Sequence, residues 1–71
     1  MSETVSDETL GNREVELLQL LADGKTIEQA ANELGWQEQT AKNCISKIRH
    51  KLDAETTAHA VAAAIRRELI D

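Results

Sequence analysis

The chain has 71 residues, a single cysteine and no proline, phenylalanine or tyrosine. This length allows one domain with a small core, and the lone cysteine excludes an internal disulfide, which fits a cytoplasmic location. The net charge of −5 excludes a uniformly basic nucleic-acid binder, and the lack of an apolar run of about 18 residues predicts no membrane span. Residues 1–9 are polar and acidic and are expected to form a flexible leader to a domain spanning residues 10–71.

Sparse β-branched and aromatic residues favour an all-α fold, and the first two predicted helices are each followed by glycine. Helix 1 should span Asn12–Ala22, with a leucine-rich stripe towards the core and Gly24 as its stop. Helix 2 should open at Thr26, because Thr26 and Gln29 have the spacing of a capping box, and end at Gly35. Its predicted inner face comprises Ala30, Ala31 and Leu34.

The third predicted helix, from Glu38 to Leu52, concentrates the positive charge. Residues 39–52 hold four basic and no acidic residues, whereas the rest of the chain holds four basic and 13 acidic residues, which gives local charges of +4 and −9. A phosphate backbone responds to the local field, so this segment could bind nucleic acid; the alternative is a solvated helix face. The residues expected to face the core are Ala41, Cys44, Ile45, Ile48 and Leu52.

The second and third helices have the spacing of a helix-turn-helix. Two helices that cross steeply on a short turn need a small residue at their contact, which Ala31 provides, and a turn residue that accepts a positive φ, which Gly35 provides. Trp36 follows the turn and is expected to pack in the core rather than stack on a base. The fourth helix should span Thr57–Leu69, with Thr56 or Thr57 as its cap.

The order and spacing of these motifs resemble the LuxR-type (GerE/FixJ-like) helix-turn-helix DNA-binding domain over about residues 10–70. The matching segments are Arg13-Glu14, Ala22-Asp23-Gly24-Lys25-Thr26, Thr40-Ala41-Lys42-Asn43, Ile48-Arg49-His50-Lys51-Leu52, Ala60-Val61 and Leu69-Ile70. The chain departs from the family pattern at Gly11, Ala30, Gln37, Cys44 and Thr57.

The resemblance implies a four-helix domain with a winged-helix-like core of three helices, no wing, and a C-terminal dimerisation helix. It implies that the third helix enters the major groove of duplex DNA and that two copies pair through the fourth helix. The stripe expected at that contact, unless it only closes the core, comprises Ala58, Val61, Ala62 and Ile65.

Site residues are carried over from the resemblance position by position. The base-facing positions are Lys42, Asn43 and Ser46, and the positions near phosphate are Thr40 and Lys47. Lys51 matches either a phosphate contact or one member of an internal ion pair. Arg49, a basic residue of the same helix, is also included in the expected DNA-binding set, with the alternative that its position turns it sideways from the groove.

Other chemistry is weighed against simpler interpretations. Cys44 is expected to be a small core residue rather than a redox sensor, because buried thiols are usually inert. His50 and His59 show no metal-ligand spacing with Cys44, so neither a metal nor a cofactor is expected. Glu14 and Glu16 are interpreted as helix-start acids, since a catalytic acid–base pair needs a pocket and the chain is not expected to be an enzyme.

Three functions remain in view. The first is a transcription regulator, or its effector domain, that binds duplex DNA as a homodimer at the bacterial nucleoid. The second is a modulator that pairs with a larger LuxR-type regulator through the fourth helix without binding DNA, as the charge of −9 outside the third helix would favour. The third is a domain like region 4 of sigma factors, which would also contact RNA polymerase. The predicted fourth helix of this chain argues against the third function.

Overall fold

The computed structural model describes residues 10–71, which form four α-helices and, over that range, no strand. The helices are α1 (Asn12–Ala22), α2 (Ile27–Leu34), α3 (Glu38–Leu52) and α4 (Thr57–Arg66). The predicted all-α architecture of a three-helix core and a C-terminal helix is confirmed, and the bounds of α1 and α3 are those the sequence predicts. The predicted leader, residues 1–9, lies outside the described residues.

Three of the helices begin at residues whose side chains satisfy the first backbone N–H groups. The predicted capping box is present in α2, where Thr26 Oγ1 accepts from Gln29 N–H at 3.1 Å and Gln29 Oε1 accepts from Thr26 N–H at 2.9 Å. At α1, Glu14 Oε1 accepts from the Gly11 N–H at 2.8 Å. At α4, the cap is Thr56, whose Oγ1 accepts from the His59 N–H at 3.0 Å.

A left-handed residue closes each of the four helices of residues 10–71. Gly24, Gly35, Asp53 and Glu68 have φ values of 97°, 76°, 55° and 62°. In each case the N–H of the next residue bonds back to a carbonyl in the last turn, the Schellman arrangement. These bonds run from Lys25 to Leu20 at 3.1 Å, and from Trp36 to Ala31, from Ala54 to Arg49 and from Leu69 to Ala64 at 2.8 Å each. The chain therefore turns sharply after α2, which sets the direction in which α3 departs.

The predicted end of α4 at Leu69 is wrong, since the helix ends at Arg66. The apolar spacing continues to Leu69, but the backbone reverses at Glu68, and the segment after it folds back towards α1. Ile70 is buried in the core, and the backbone N–H of Asp71 donates to Gln19 Oε1 at 3.0 Å. Burial of Ile70 and this hydrogen bond accompany the reversal, and neither shows as a helix-stop residue in the sequence.

The core contains many small side chains. Five of the twelve buried hydrophobic residues are alanines, which lets the helix backbones approach closely. Leu17, Leu18 and Ile48 are its largest fully buried side chains. The core-facing positions predicted for α3 are confirmed, with Cys44 partly buried against the others. The core therefore covers one side of α3 and leaves the other side in solvent.

Candidate nucleic-acid interface

One side of α3 faces solvent along its length and carries most of the predicted DNA-binding residues. We call it the outer face of α3; it comprises Glu38, Gln39, Thr40, Lys42, Asn43, Ser46, Lys47 and His50, all exposed. The opposite side is buried through Ala41, Ile45, Ile48 and Leu52. Because α3 packs on α1, α2 and α4 through this buried side, the outer face is presented as a polar surface on a fixed support.

Two side-chain pairs lie along the first turns of the outer face. Lys42 Nζ is 3.8 Å from Glu38 Oε2, and their side chains are 54 % and 50 % exposed. Gln39 Nε2 donates to Asn43 Oδ1 at 3.1 Å. Both pairs have the i,i+4 spacing that brings side chains together on a helix. Exposed pairs of this kind contribute little to stability, so these side chains can exchange their partners for a ligand at low cost.

Lys51 lies apart from the outer face and is bonded inside the domain. Its Nζ donates to both carboxylate oxygens of Glu14, at 2.8 and 3.1 Å, and the two side chains are only 27 % and 12 % exposed. The interaction joins the end of α3 to the start of α1. Of the two roles that the sequence left open for Lys51, the internal ion pair is the one this geometry provides.

Glu14 has contacts that hold it ionised. Partial burial raises the pKa of its carboxyl, but the hydrogen bonds from Lys51 and the Gly11 N–H, with the charges of Lys51 and Lys47, outweigh burial, and the net pKa is lowered. Glu14 therefore both caps α1 and binds the last turn of α3. The sequence predicts the first role, that of a helix-start acid, but not the second.

Arg49 is also turned into the domain. Its Nη2 donates to the backbone carbonyl of Glu55 in the connection between α3 and α4, and its Nε is buried. The Glu55 N–H in turn donates to Nδ1 of His59 at 3.3 Å. The guanidinium thus braces the α3–α4 connection, and its expected contact with DNA stays a prediction.

The turn before α3 carries the single tryptophan of a chain without phenylalanine or tyrosine. Trp36 is partly buried against the core, as expected, and the guanidinium carbon of Arg13 lies 5.5 Å from its ring centroid. A cation over an aromatic face contributes about 0.5–1 kcal/mol at an exposed site. Arg13 and Trp36 therefore fasten the start of α1 to the turn between α2 and α3.

Cys44 lies on the buried side of α3. Burial raises the pKa of its thiol, and the nearby Glu14 carboxylate adds to that effect against the opposing charges of Lys47, Lys51 and Arg13. A raised pKa keeps the thiol protonated and weakly nucleophilic. These contacts agree with the expected role of a small core residue.

The expected dimer stripe lies on the outside of α4. Ala58 and Ala62 are exposed, Val61 is partly buried, and Ile65 is 45 % exposed, the one large hydrophobic residue classed as exposed within residues 10–71. The fully buried residues of α4 are Ala60 and Ala64, and Val61 packs partly against the core. Most of the stripe therefore faces solvent, and its role in pairing stays a prediction.

Sequence reasoning missed three contacts around the interface: the Glu38–Lys42 pair, the Gln39–Asn43 hydrogen bond and the stacking of Arg13 on Trp36. The i,i+4 spacing of the first two is visible in the sequence, whereas the third joins distant positions. In the described part of the chain, no group of three or more His, Cys, Asp or Glu residues could hold a metal ion. No helix in that part is long and apolar enough to cross a membrane.

The geometry defines the class of the protein. Two helices joined by a tight turn, the second with a polar face directed away from a four-helix core, form a helix-turn-helix domain of the kind found in DNA-binding regulators of transcription. The family model described as "Bacterial regulatory proteins, luxR family" matches residues 8–64. The chain belongs to this family, which is a class of regulators and not of enzymes.

Relatives share this domain but are longer. The chain is 41 % identical over 61 residues to the "Uncharacterized response regulatory protein YgeK" of Escherichia coli (strain K12), a match that covers 86 % of the chain and 42 % of that protein. It is 40 % identical over 52 residues to the transcriptional regulatory protein DesR of Bacillus subtilis (strain 168), covering 73 % and 26 %. For LiaR of the same strain, the identity is 38 % over 64 residues, covering 90 % and 30 %. The chain thus spans less than half the length of each relative.

Proposed function

We propose that this domain binds duplex DNA by inserting α3 into the major groove and thereby regulates transcription. The observation that carries the proposal is the outer face of α3, a continuous exposed polar surface backed by a fully packed core. An α-helix fits the width of the major groove, and the first turns of a recognition helix reach deepest into it. The relatives named transcriptional regulatory proteins support the same function.

In this proposal, different positions on the outer face contact different parts of the DNA. Lys42, Asn43 and Ser46 face the base edges, whereas Thr40 and Lys47 lie towards the phosphates. Lysine donates to guanine O6 and N7, so Lys42 reads or holds a guanine once it leaves Glu38. Binding to chromosomal DNA would place the domain in the cytoplasm with the nucleoid.

Pairing through α4 would double the contact. Two copies joined along the stripe of Ala58, Val61, Ala62 and Ile65 present two α3 helices related by a two-fold axis. Such a dimer binds a roughly palindromic site with half-sites about one helical turn, roughly 34 Å, apart. The area offered by one exposed isoleucine and two alanines is small, so pairing should depend on DNA or on a high protein concentration.

An NMR titration of the labelled chain with a short duplex at low and at higher salt tests the proposal. We expect the amides of residues 38–50 to shift and the effect to weaken with salt, because phosphate contacts release counterions. The test variant is Lys42→Ala on the outer face, and its matched control is Arg67→Ala, which removes the same charge from an exposed site beyond α4. The proposal is contradicted if both variants weaken DNA binding equally, or if the α3 amides of the folded wild-type chain do not shift when DNA is added.

A second function has its own supporting observation. The charge of −9 outside residues 39–52 repels DNA, and the exposed Ile65 stripe of α4 offers a surface for a partner. The domain would then pair with a larger LuxR-type regulator and modulate it without binding DNA. Mixing the chain with such a regulator, or with RNA polymerase, and measuring the mass of the complex distinguishes the two proposed functions. A heteromeric complex that Ile65→Glu abolishes, together with an absence of DNA binding, favours the second function.

A further inference from the structure

Gln39 and Asn43 form a hydrogen-bonded pair on the first turns of α3. Gln39 lies one turn before Asn43, both side chains are exposed, and Gln39 Nε2 donates to Asn43 Oδ1 at 3.1 Å. No other hydrogen bond to either amide comes from within residues 10–71. Asn43 was among the expected base-facing residues, where an asparagine amide can pair with adenine, whereas Gln39 was not among the expected DNA-binding residues.

Counting donors and acceptors shows what each amide has left to offer. A side-chain amide carries two N–H donors and one oxygen with two lone pairs. After the bond, Gln39 keeps its whole carbonyl oxygen and one N–H, whereas Asn43 keeps both N–H donors but shares its oxygen. Adenine presents an N6–H donor and an N7 acceptor in the major groove, so its reader needs one free acceptor and one free donor.

We infer that Gln39 is a specificity-determining residue that reads adenine, while Asn43 positions it and offers its own donors to a neighbouring base. Gln39 Oε1 would accept from adenine N6–H and its remaining N–H would donate to N7, with the bond to Asn43 intact. The two N–H groups of Asn43 match acceptor-rich edges, guanine O6 and N7 or thymine O4. The inference rests on the proposed function, since it assumes that α3 enters the major groove.

The test is selection of binding sites from a randomised duplex library by the full 71-residue chain, followed by sequencing. We expect the wild-type chain to enrich adenine at one position of each half-site. Gln39→Met, which has similar length but no amide, should lower that preference on the order of 10- to 100-fold and leave the other positions unchanged. Gln39→Glu retains acceptors only, so the preference at that position should move from adenine to cytosine.

Asn43→Asp separates the two amides, because it retains the oxygen that accepts from Gln39 and removes the donors. We expect adenine to remain preferred at the position read by Gln39 and the preference at the neighbouring base to fall. Loss of the adenine preference in Asn43→Asp, together with its retention in Gln39→Met, overturns the inference and returns adenine to Asn43. If the wild-type chain enriches no sequence, the proposed function fails together with the inference. If the wild-type chain enriches a motif that Gln39→Met leaves unaltered, only the assignment of Gln39 is wrong.

Discussion

The two ends of α3 carry the same kind of charge but differ in what that charge contacts. At the first turns, Lys42 is paired with Glu38 of the same helix, and both side chains are about half exposed. At the last turn, Lys51 is bonded to Glu14 of α1 and Arg49 to the carbonyl of Glu55, and both basic side chains are partly buried. The amino-terminal end faces solvent, and the carboxyl-terminal end is fastened to other elements.

This difference shows that the basic residues of one helix can have different surroundings, so charge alone does not identify nucleic-acid contacts. An exposed ion pair is easily exchanged for a phosphate or a base, because both partners are already solvated. A partly buried pair leaves an uncompensated charge when it opens, so its residues serve the fold first. Of the four basic residues in residues 39–52, only Lys42 and Lys47 lie on the outer face.

The largest effect, on DNA binding, is expected from removing the exposed side chain of Lys42. Lys42→Ala should weaken binding to a specific duplex by about 1–3 kcal/mol and change the free energy of unfolding by less than about 0.5 kcal/mol. Fluorescence anisotropy with a labelled duplex measures the first quantity, and urea unfolding measures the second. A large loss of stability in Lys42→Ala would break the comparison, since it would place this lysine among the structural ones.

The opposite outcome is expected at the other end of the helix. Lys51→Met should lower the free energy of unfolding by about 1–2 kcal/mol, because Glu14 remains partly buried without its partner. Lys42→Met is the matched control, with the same change made at an exposed pair. If Lys51→Met folds as stably as the wild-type chain but binds DNA as weakly as Lys42→Ala, Lys51 is a phosphate contact.

The pH dependence of stability sharpens the role of Glu14. Its pKa is lower in the folded chain than in the unfolded one, so its contribution is complete above the unfolded-state pKa and is lost as the pH falls through the folded-state pKa. The stability difference between the wild-type chain and Glu14→Gln should therefore shrink between about pH 5 and pH 3. Urea unfolding at several pH values checks this, and a difference that stays constant to the acid limit argues against the ion pair.

The smallest effect is expected where α3 ends. Asp53 has a φ of 55°, a conformation that costs residues with a side chain more than glycine, and its charge lies beside the carbonyl end of the helix. Asp53→Gly should raise the stability by about 0.5–1 kcal/mol, which thermal unfolding detects as a higher Tm. Asp53→Asn removes the charge alone, so a gain equal to that of glycine would assign the whole effect to electrostatics.

The sequence predicts most of this fold because its signals are local. Thr26 with Gln29 starts α2, Gly35 ends it, and the apolar spacing in α3 marks its buried side. The end of α4 was predicted wrongly because Glu68 is not a residue that typically reverses a helix. Its left-handed conformation accompanies tertiary contacts of the residues that follow it, and no local pattern records those.

For the interface, the sequence predicts the face of α3 but not the partners of its side chains. The 3.6-residue period places Lys42, Asn43 and Ser46 on one exposed side. The same period cannot show that Lys51 meets Glu14, since 37 positions separate them, or that Arg49 bends towards the next connection. Charge and spacing identify candidate contacts, and only packing divides them into those that face outward and those that hold the domain.

The Glu38–Lys42 and Gln39–Asn43 pairs begin and end on the same exposed stretch of helix. If α3 binds DNA as proposed, a mutation at one of these four positions would alter which DNA sequence is preferred while leaving the contacts between helices in place. Mutations at the other end of α3 risk the whole domain. New binding preferences can therefore evolve in this protein by single steps, each of which leaves a folded chain for selection to act upon.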